Sequence, residues 1–316
     1  MLALTFPGQC SQSVGMGKAL ADAYPQAKAV FEEVDEALGE KLSTLIWEGP
    51  EDELTLTTNA QPALMAVSLA AVRALEAEGF QVTQATFVAG HSLGEYSALA
   101  AAKALSVADT ARLLRIRGEA MQAAVPVGQG AMAAIIGLAM ADVEKACADA
   151  STDTENCQIA NDNGGGQLVI SGHKGAVDKA MDACKEAGAK RALPLPVSAP
   201  FHSTLMQPAA ERMAQALADV DIKPTIVPLV SNVLAEAISH PDDIAKRLVE
   251  QVTGRVRWAE SVAFMHEEGV GRIWEIGSGK VLTGLARRIE RGLQGTAING
   301  PDDIGPAIEA LSEKLT

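Results

Sequence analysis

The chain has 316 residues, 40 of them acidic against 26 basic, for a formal net charge of −14. That length buries a sizeable core, as one large domain or a large one with an insert. The negative charge argues against wholesale binding to nucleic acid or to an anionic membrane.

No basic region precedes the first apolar stretch, and the longest apolar run, near Ala63–Val72, is cut by Arg73 before it could span a bilayer. Leu2–Phe6 reads as a short strand broken by Pro7-Gly8. Helical patterns cover 25–38 and 62–78, the second with Pro62 in its first turn, where a missing N–H costs nothing. A buried strand at 85–89 enters Gly90-His91-Ser92-Leu93-Gly94, and an Ala-rich helix runs on to Ala104. Ser106 caps a further helix to about Val125, on which Arg112, Arg115 and Arg117 lie.

The rhythm then changes. After a linker-like stretch at 126–130 the order is strand 131–138, helix 141–150, strands 158–161 and 167–171, helix 176–187 and strand 191–197. This β-α-β-β-α-β order is a ferredoxin-like split unit. Beyond it come helix 204–218, strand 226–230, helices 242–252 and 258–268, strand 272–276, helix 281–290, strand 296–298 and a final helix. The expected fold class is α/β, with a large domain at 1–127 and 198–316 interrupted by a small subdomain at 128–197.

The strand, turn and helix around Ser92 form a G-x-S-x-G nucleophile elbow. The turn needs glycine on both flanks, lifts the serine hydroxyl clear of the sheet, and aims a helix N-terminus at any oxyanion formed there. The N–H of Leu93, next after the nucleophile, is one expected oxyanion donor. A serine hydroxyl needs a base, and the candidates are His91, His173, His202, His240 and His266. His91, beside Ser92 on the elbow, should point elsewhere. His202 follows a strand end in Pro200-Phe201-His202-Ser203, and the other three read as ordinary structural histidines.

Separated motifs recur in order: Phe6-Pro7-Gly8-Gln9 with Ser11-Gln12, Gln61-Pro62-Ala63, Gly90–Glu95, Arg117-Gly118 with Met121-Gln122, Ile159-Ala160-Asn161 with Gln167, Phe201-His202-Ser203, and Gln251-Val252. Over nearly the whole chain this set resembles the malonyl-CoA:acyl carrier protein transacylases of type II fatty acid synthesis and the acyltransferase domains of polyketide synthases. The resemblance implies an α/β-hydrolase-like core with a ferredoxin-like insert. It implies that Ser92 carries a malonyl ester, that His202 is its base, and that the main-chain carbonyl of Gln251 holds His202 in a dyad. On that last point Gln251→Ala should keep substantial activity. The resemblance further assigns Gln9 to the oxyanion hole, Arg117 to the malonyl carboxylate, and Phe201 to exclusion of a methyl branch, with Asn161 and Ser203 lining the pocket.

Three departures from the family pattern stand out. Cys10 replaces a glycine, Asn163-Gly164-Gly165-Gly166 promises a looser hairpin, and Thr253-Gly254-Arg255 stands where an aromatic and Asn-Pro are usual, which leaves the carbonyl partner of His202 open.

Partners implied are malonyl-CoA and an acidic acyl carrier protein, with no nucleic acid and no membrane. A carrier dock would need local positive charge, for which Lys280, Arg287, Arg288 and Arg291 cluster, with Lys190, Arg191 and Arg255 scattered elsewhere. No metal spacing, P-loop or dinucleotide fingerprint appears, so no cofactor is expected, coenzyme A being only the substrate's carrier. The four cysteines (Cys10, Cys147, Cys157, Cys184) lack disulfide spacing and fit a cytoplasmic protein. The competing readings are a discrete polyketide acyltransferase, a serine esterase or thioesterase, and a carrier-binding module with a vestigial site.

Overall fold

The computed structural model describes residues 1–197 and 199–312; the expected return to the large domain at 198 and the stretch 313–316 lie outside the described residues. Strand β1 (Leu2–Phe6) is followed by helices α1 (Lys18–Ala23), α2 (Pro25–Leu38), α3 (Leu42–Glu48), α4 (Glu51–Thr55) and α5 (Thr57–Ala77). Helices α1, α3 and α4 are too short for an apolar period to stand out in sequence. Helix α5 begins at Thr57, so Pro62 lies inside it and not in its first turn. The missing proline N–H leaves the Thr58 carbonyl without its helical donor, and Arg115 Nη1 donates to that carbonyl at 2.7 Å.

Strand β2 (Phe87–Gly90) leads through the elbow to α6 (Gly94–Ala101) and α7 (Val107–Ala123). Ser106 caps α7 as expected, its Oγ accepting the Asp109 N–H at 3.0 Å. The inserted unit follows as β3 (Gly130–Ile136), α8 (Met140–Ala150), β4 (Cys157–Asp162), β5 (Gln167–His173), α9 (Lys174–Glu186) and β6 (Arg191–Pro194). The chain then forms α10 (Gln207–Ala218), β7 (Leu229–Val230), β8 (Ala237–Ile238), α11 (Pro241–Thr253) and β9 (Val256–Arg257). It ends with α12 (Trp258–Glu267), β10 (Arg272–Ile276), α13 (Val281–Ile289), β11 (Gln294–Ile298) and α14 (Pro301–Ser312).

Six strands in the order β11-β10-β1-β2-β7-β8 make the larger sheet, parallel throughout except for the β7–β8 pair. A parallel sheet covered on both faces calls for continuous apolar strands, and all five residues of β1 are buried. Alternate residues serve opposite faces: Leu2, Leu4 and Phe6 join the core under α5 and α7, while Ala3 joins the one under α12 and α13.

The second sheet runs β6-β3-β5-β4-β9. Its first four strands are antiparallel neighbours in ferredoxin-like order. One face, with Ile135, Ile159 and Ile170, packs on α8 and α9, and the other sends Met132, Ala160 and Val169 into the main core. Strand β9, unforeseen in the sequence, pairs parallel with β4 through Asn161 and Asp162, so the segment leaving α11 is stitched to the subdomain.

The hairpin at 163–166 is tight, not loose. Gly164, Gly165 and Gly166 all have positive φ (73°, 59° and 75°), which three successive residues with a Cβ would resist. The Asn163 N–H donates to the Gln167 carbonyl at 3.0 Å, and Gly164 packs so close to Ile289 of α13 that a Cβ would overlap it.

Candidate active site

The elbow shows why its flanking residues are glycines. A Cβ on Gly90 would lie 1.9 Å from the Gly94 carbonyl, and one on Gly94 would lie 2.2 Å from the Phe6 oxygen. Ser92 itself takes φ +54°, a left-handed conformation that costs a residue with a Cβ about 1–2 kcal/mol. Asn232, just past the end of β7, braces this turn. Its Oδ1 accepts the Ser92 N–H at 2.8 Å and its Nδ2 donates to the Gly90 carbonyl at 2.6 Å. The sequence reading gave Asn232 no role. The available signal was its place beyond a strand at 226–230, on the carboxyl edge where sites of parallel sheets gather.

Ser92 Oγ lies 2.7 Å from His202 Nε2, and His202 Nδ1 lies 2.8 Å from the Gln251 carbonyl. A carbonyl only accepts, so Nδ1 carries the hydrogen and Nε2 is bare to receive the serine proton. The aromatic-Asn-Pro departure at 253–255 therefore leaves the expected partner in place. His202 is 3% exposed and also left-handed, at φ +56°. Burial, then the Arg117 charge, lowers its pKa to about 3, so at neutral pH it is an uncharged base. Gln158 of β4 holds the loop, its Nε2 donating to the His202 and Thr253 carbonyls at 3.3 Å each.

The other histidines go elsewhere, as expected. His91 Nε2 meets Asn163 Oδ1 at 2.9 Å, and His173, His240 and His266 bond to nearby backbone.

Arg117 is 1% exposed and faces the elbow. Its Nη1 donates to Gln61 Oε1 at 2.7 Å, and its Nη2 to Gln251 Oε1 at 2.7 Å and Ser92 Oγ at 3.2 Å. Arg112 is a surface residue paired with Asp109, whereas Arg115 is largely covered, bonding Thr58 and Asn59 at the start of α5 and Glu40 between α2 and α3.

Gln251 does more than lend a carbonyl. Its Nε2 donates to the Ser92 carbonyl at 2.9 Å and to Glu95 Oε2 at 2.6 Å, bonds that speak against the expectation that Gln251→Ala keeps substantial activity. Glu95 is 1% exposed, and burial raises its carboxyl pKa to about 7 against the opposing pull of Gln251, Asn232 and Arg117. The network closes through α5: Gln61 Nε2 donates to Thr57 Oγ1, and the Thr57 hydroxyl donates to Gln9 Oε1, both at 2.9 Å.

Ser92, His202, Arg117, Gln61 and Gln9 open on a cavity of about 410 Å³, lined also by Leu93, Phe201, Asn161, Lys280 just before α13 and Arg288 on it. Among the described residues neither the Leu93 nor the Gln9 N–H has a protein acceptor, so both expected oxyanion donors are open. Cys10, at φ +77°, occupies a conformation that suits glycine, which explains the residue usual there. Of the other basic residues, Arg287 and Arg291 are exposed on and just after α13, and Arg255 is paired with Glu144.

A base-bonded serine with open amides beside it can take an acyl group and pass it on. Comparison with known proteins places it in a class: the chain belongs to the acyl transferase domain family, matching it over residues 4–288. It is 49% identical over 314 residues to a malonyl CoA-acyl carrier protein transacylase of Bacillus subtilis, covering 99% of this chain and 98% of the relative. The crystal structure of an acyl-carrier-protein S-malonyltransferase from Bartonella henselae superposes with a TM-score of 0.96 at 57% identity, covering 98% of this chain and 99% of that one. A malonyl-transacylase in complex with a type II PKS acyl-carrier protein superposes with a TM-score of 0.94 at 43% identity, covering 98% and 99%.

Proposed function

We infer that the chain is an acyl-carrier-protein S-malonyltransferase, moving a malonyl group from malonyl-CoA to the phosphopantetheine thiol of an acyl carrier protein in fatty acid biosynthesis. The observation that carries this reading is the buried Arg117 guanidinium 3.2 Å from the Ser92 hydroxyl. A fixed guanidinium there favours an acyl group with its own carboxylate and leaves a neutral one with an unpaired buried charge.

His202 Nε2 takes the Ser92 proton as Oγ attacks the thioester carbonyl. The oxyanion is held by the Leu93 and Gln9 N–H groups. Collapse breaks the C–S bond, the imidazolium gives its proton to the departing coenzyme A sulfur, and the malonyl ester remains on Ser92. The pantetheine thiol then repeats the sequence in reverse roles, restoring free serine. Phe201 crowds the carbon between the two carbonyls, and Asn161 lines the same pocket. The reading needs no metal or cofactor, coenzyme A entering with the substrate, and we place the protein in the cytoplasm; no helix among the described residues is long and apolar enough to cross a membrane.

The exposed Arg287 with Arg288 and Lys280 at the cavity rim offers the acidic carrier its landing site. Charge reversal of Arg287 and Arg288 should raise KM for the carrier and leave coenzyme A-side kinetics nearly unchanged. A polyketide carrier is the second reading, favoured by the 43% identical transacylase bound to one; kcat/KM for the two carrier types separates them.

Intact-mass measurement after adding malonyl-CoA tests the reaction. One malonyl adduct on Ser92, stable in buffer and removed by holo carrier protein, is expected. No adduct, or hydrolysis as fast without the thiol as with it, would overturn the reading.

A further inference from the structure

Two opposite charges are buried beneath the elbow, and a single amide joins them. Glu95 Oε2 accepts from Gln251 Nε2 at 2.6 Å, and Gln251 Oε1 accepts from Arg117 Nη2 at 2.7 Å. Because Nε2 also donates to the Ser92 carbonyl, the amide has one orientation, and its oxygen faces the guanidinium. Glu95 itself lies in the first turn of α6, where the helix dipole favours an anion. The titratable and charged groups around it are Arg117 from α7 and Tyr96 from its own helix, with His202 next to Arg117 and His91 acting on His202.

We propose that Glu95 is the resident counter-ion of Arg117, and that it yields this role by taking up a proton when a malonyl carboxylate pairs with the guanidinium. The inference rests on the malonyltransferase reading. With the acyl group in place, two carboxylates share one buried guanidinium, and a water-excluded site does not hold the surplus negative charge. The incoming carboxylate, directly on Arg117, keeps its charge; Glu95, one amide removed, is the group that is neutralised. Its carboxyl already sits near pH 7, so the change falls in an accessible range. Loading itself is neutral in protons: serine O–H and thioester give ester and coenzyme A thiol. The additional proton comes from the buffer.

The test counts protons. Calorimetry of loading in buffers of different ionisation enthalpy at pH 7.5 gives protons taken up per ester, with the esters counted by intact mass. Roughly half a proton per malonyl ester beyond that for acetyl-CoA is expected, and no such excess in Glu95→Gln. Coenzyme A thiol ionisation is common to both substrates and cancels. Equal counts for malonyl and acetyl in the unaltered protein would overturn the proposal, as would an excess that persists in Glu95→Gln. The first comparison needs no variant, so it stands whether or not Glu95→Gln folds. Absence of a malonyl ester would instead defeat the functional reading.

Discussion

On one wall of the cavity Ser92 sits just past a strand end of the parallel sheet and Arg117 on α7, with Asn232, past β7, and Gln251, in the last turn of α11, bracing them from behind. On the other wall Met132 and Ala134 of β3, Val169 of β5 and Asn161 of β4 rise from strands of the inserted sheet. The first wall buries charge and ties its polar groups to one another; the second presents uncharged side chains. The difference separates tasks. On the proposed function the first wall performs and selects the chemistry, and the second shapes the space. Across the divide, Gln158 reaches from β4 to hold the His202 loop, and Asn163 meets His91 of the elbow.

Substitutions on the two walls should therefore differ in kind. The largest effect is expected for His202→Ala, a loss of about 10³–10⁴-fold in kcat for malonyl loading, the upper part of what a positioned general base contributes. A loss under tenfold would remove the base from the first wall. The pH profile sharpens the same point. The folded pKa of His202 is about 3 against an ordinary 6.5, so kcat/KM for malonyl-CoA should show no acid limb at 6.5 from this residue. Between those two values the unfolded chain binds the extra proton, so this group's contribution makes stability rise with pH through the window. Denaturant titrations from pH 4 to 7 would read that slope.

Gln251→Ala comes next, at about 10²-fold in malonyl kcat/KM, because it strips a hydrogen bond from the buried Arg117 and removes the donor to Glu95 Oε2. Acetyl transfer should fall less. Asn232→Ala should lower stability by about 1–3 kcal/mol in denaturant titration, since it leaves the Ser92 N–H and Gly90 carbonyl unpaired. The smallest effect is on the opposite wall: Asn161→Ala should change malonyl kcat/KM by less than about tenfold, mainly through KM. A loss there as large as that of Gln251→Ala would erase the contrast between the walls.

What could be read in the sequence follows the range of the forces involved. The elbow was legible because two glycines four residues apart flank its serine, Gly90 under a local demand (1.9 Å to Gly94) and Gly94 under the approach of Phe6 from β1 (2.2 Å). The split β-α-β-β-α-β unit was legible because each element carries its own apolar period. Arg117 was not separable from Arg115 by position alone, since residues two apart on a helix face different ways and nothing local says which meets the site. Family resemblance singled out Arg117, and the bond to Ser92 Oγ shows why. Asn232, Gln158 and the side chain of Gln251 act on residues more than 40 positions away, at distances set only by tertiary packing. The two-residue strands β8 and β9 were missed for the same reason: they exist through pairing with β7 and β4, not through their own pattern.

The central claim, that the charged wall selects a carboxylated acyl group, is tested most directly by the ratio of kcat/KM for malonyl-CoA to that for acetyl-CoA in Arg117→Ala. The account predicts that the ratio collapses by about 100-fold or more, because a buried guanidinium–carboxylate pair is lost while acetyl transfer is spared. An unchanged ratio, with both activities falling together, would contradict it.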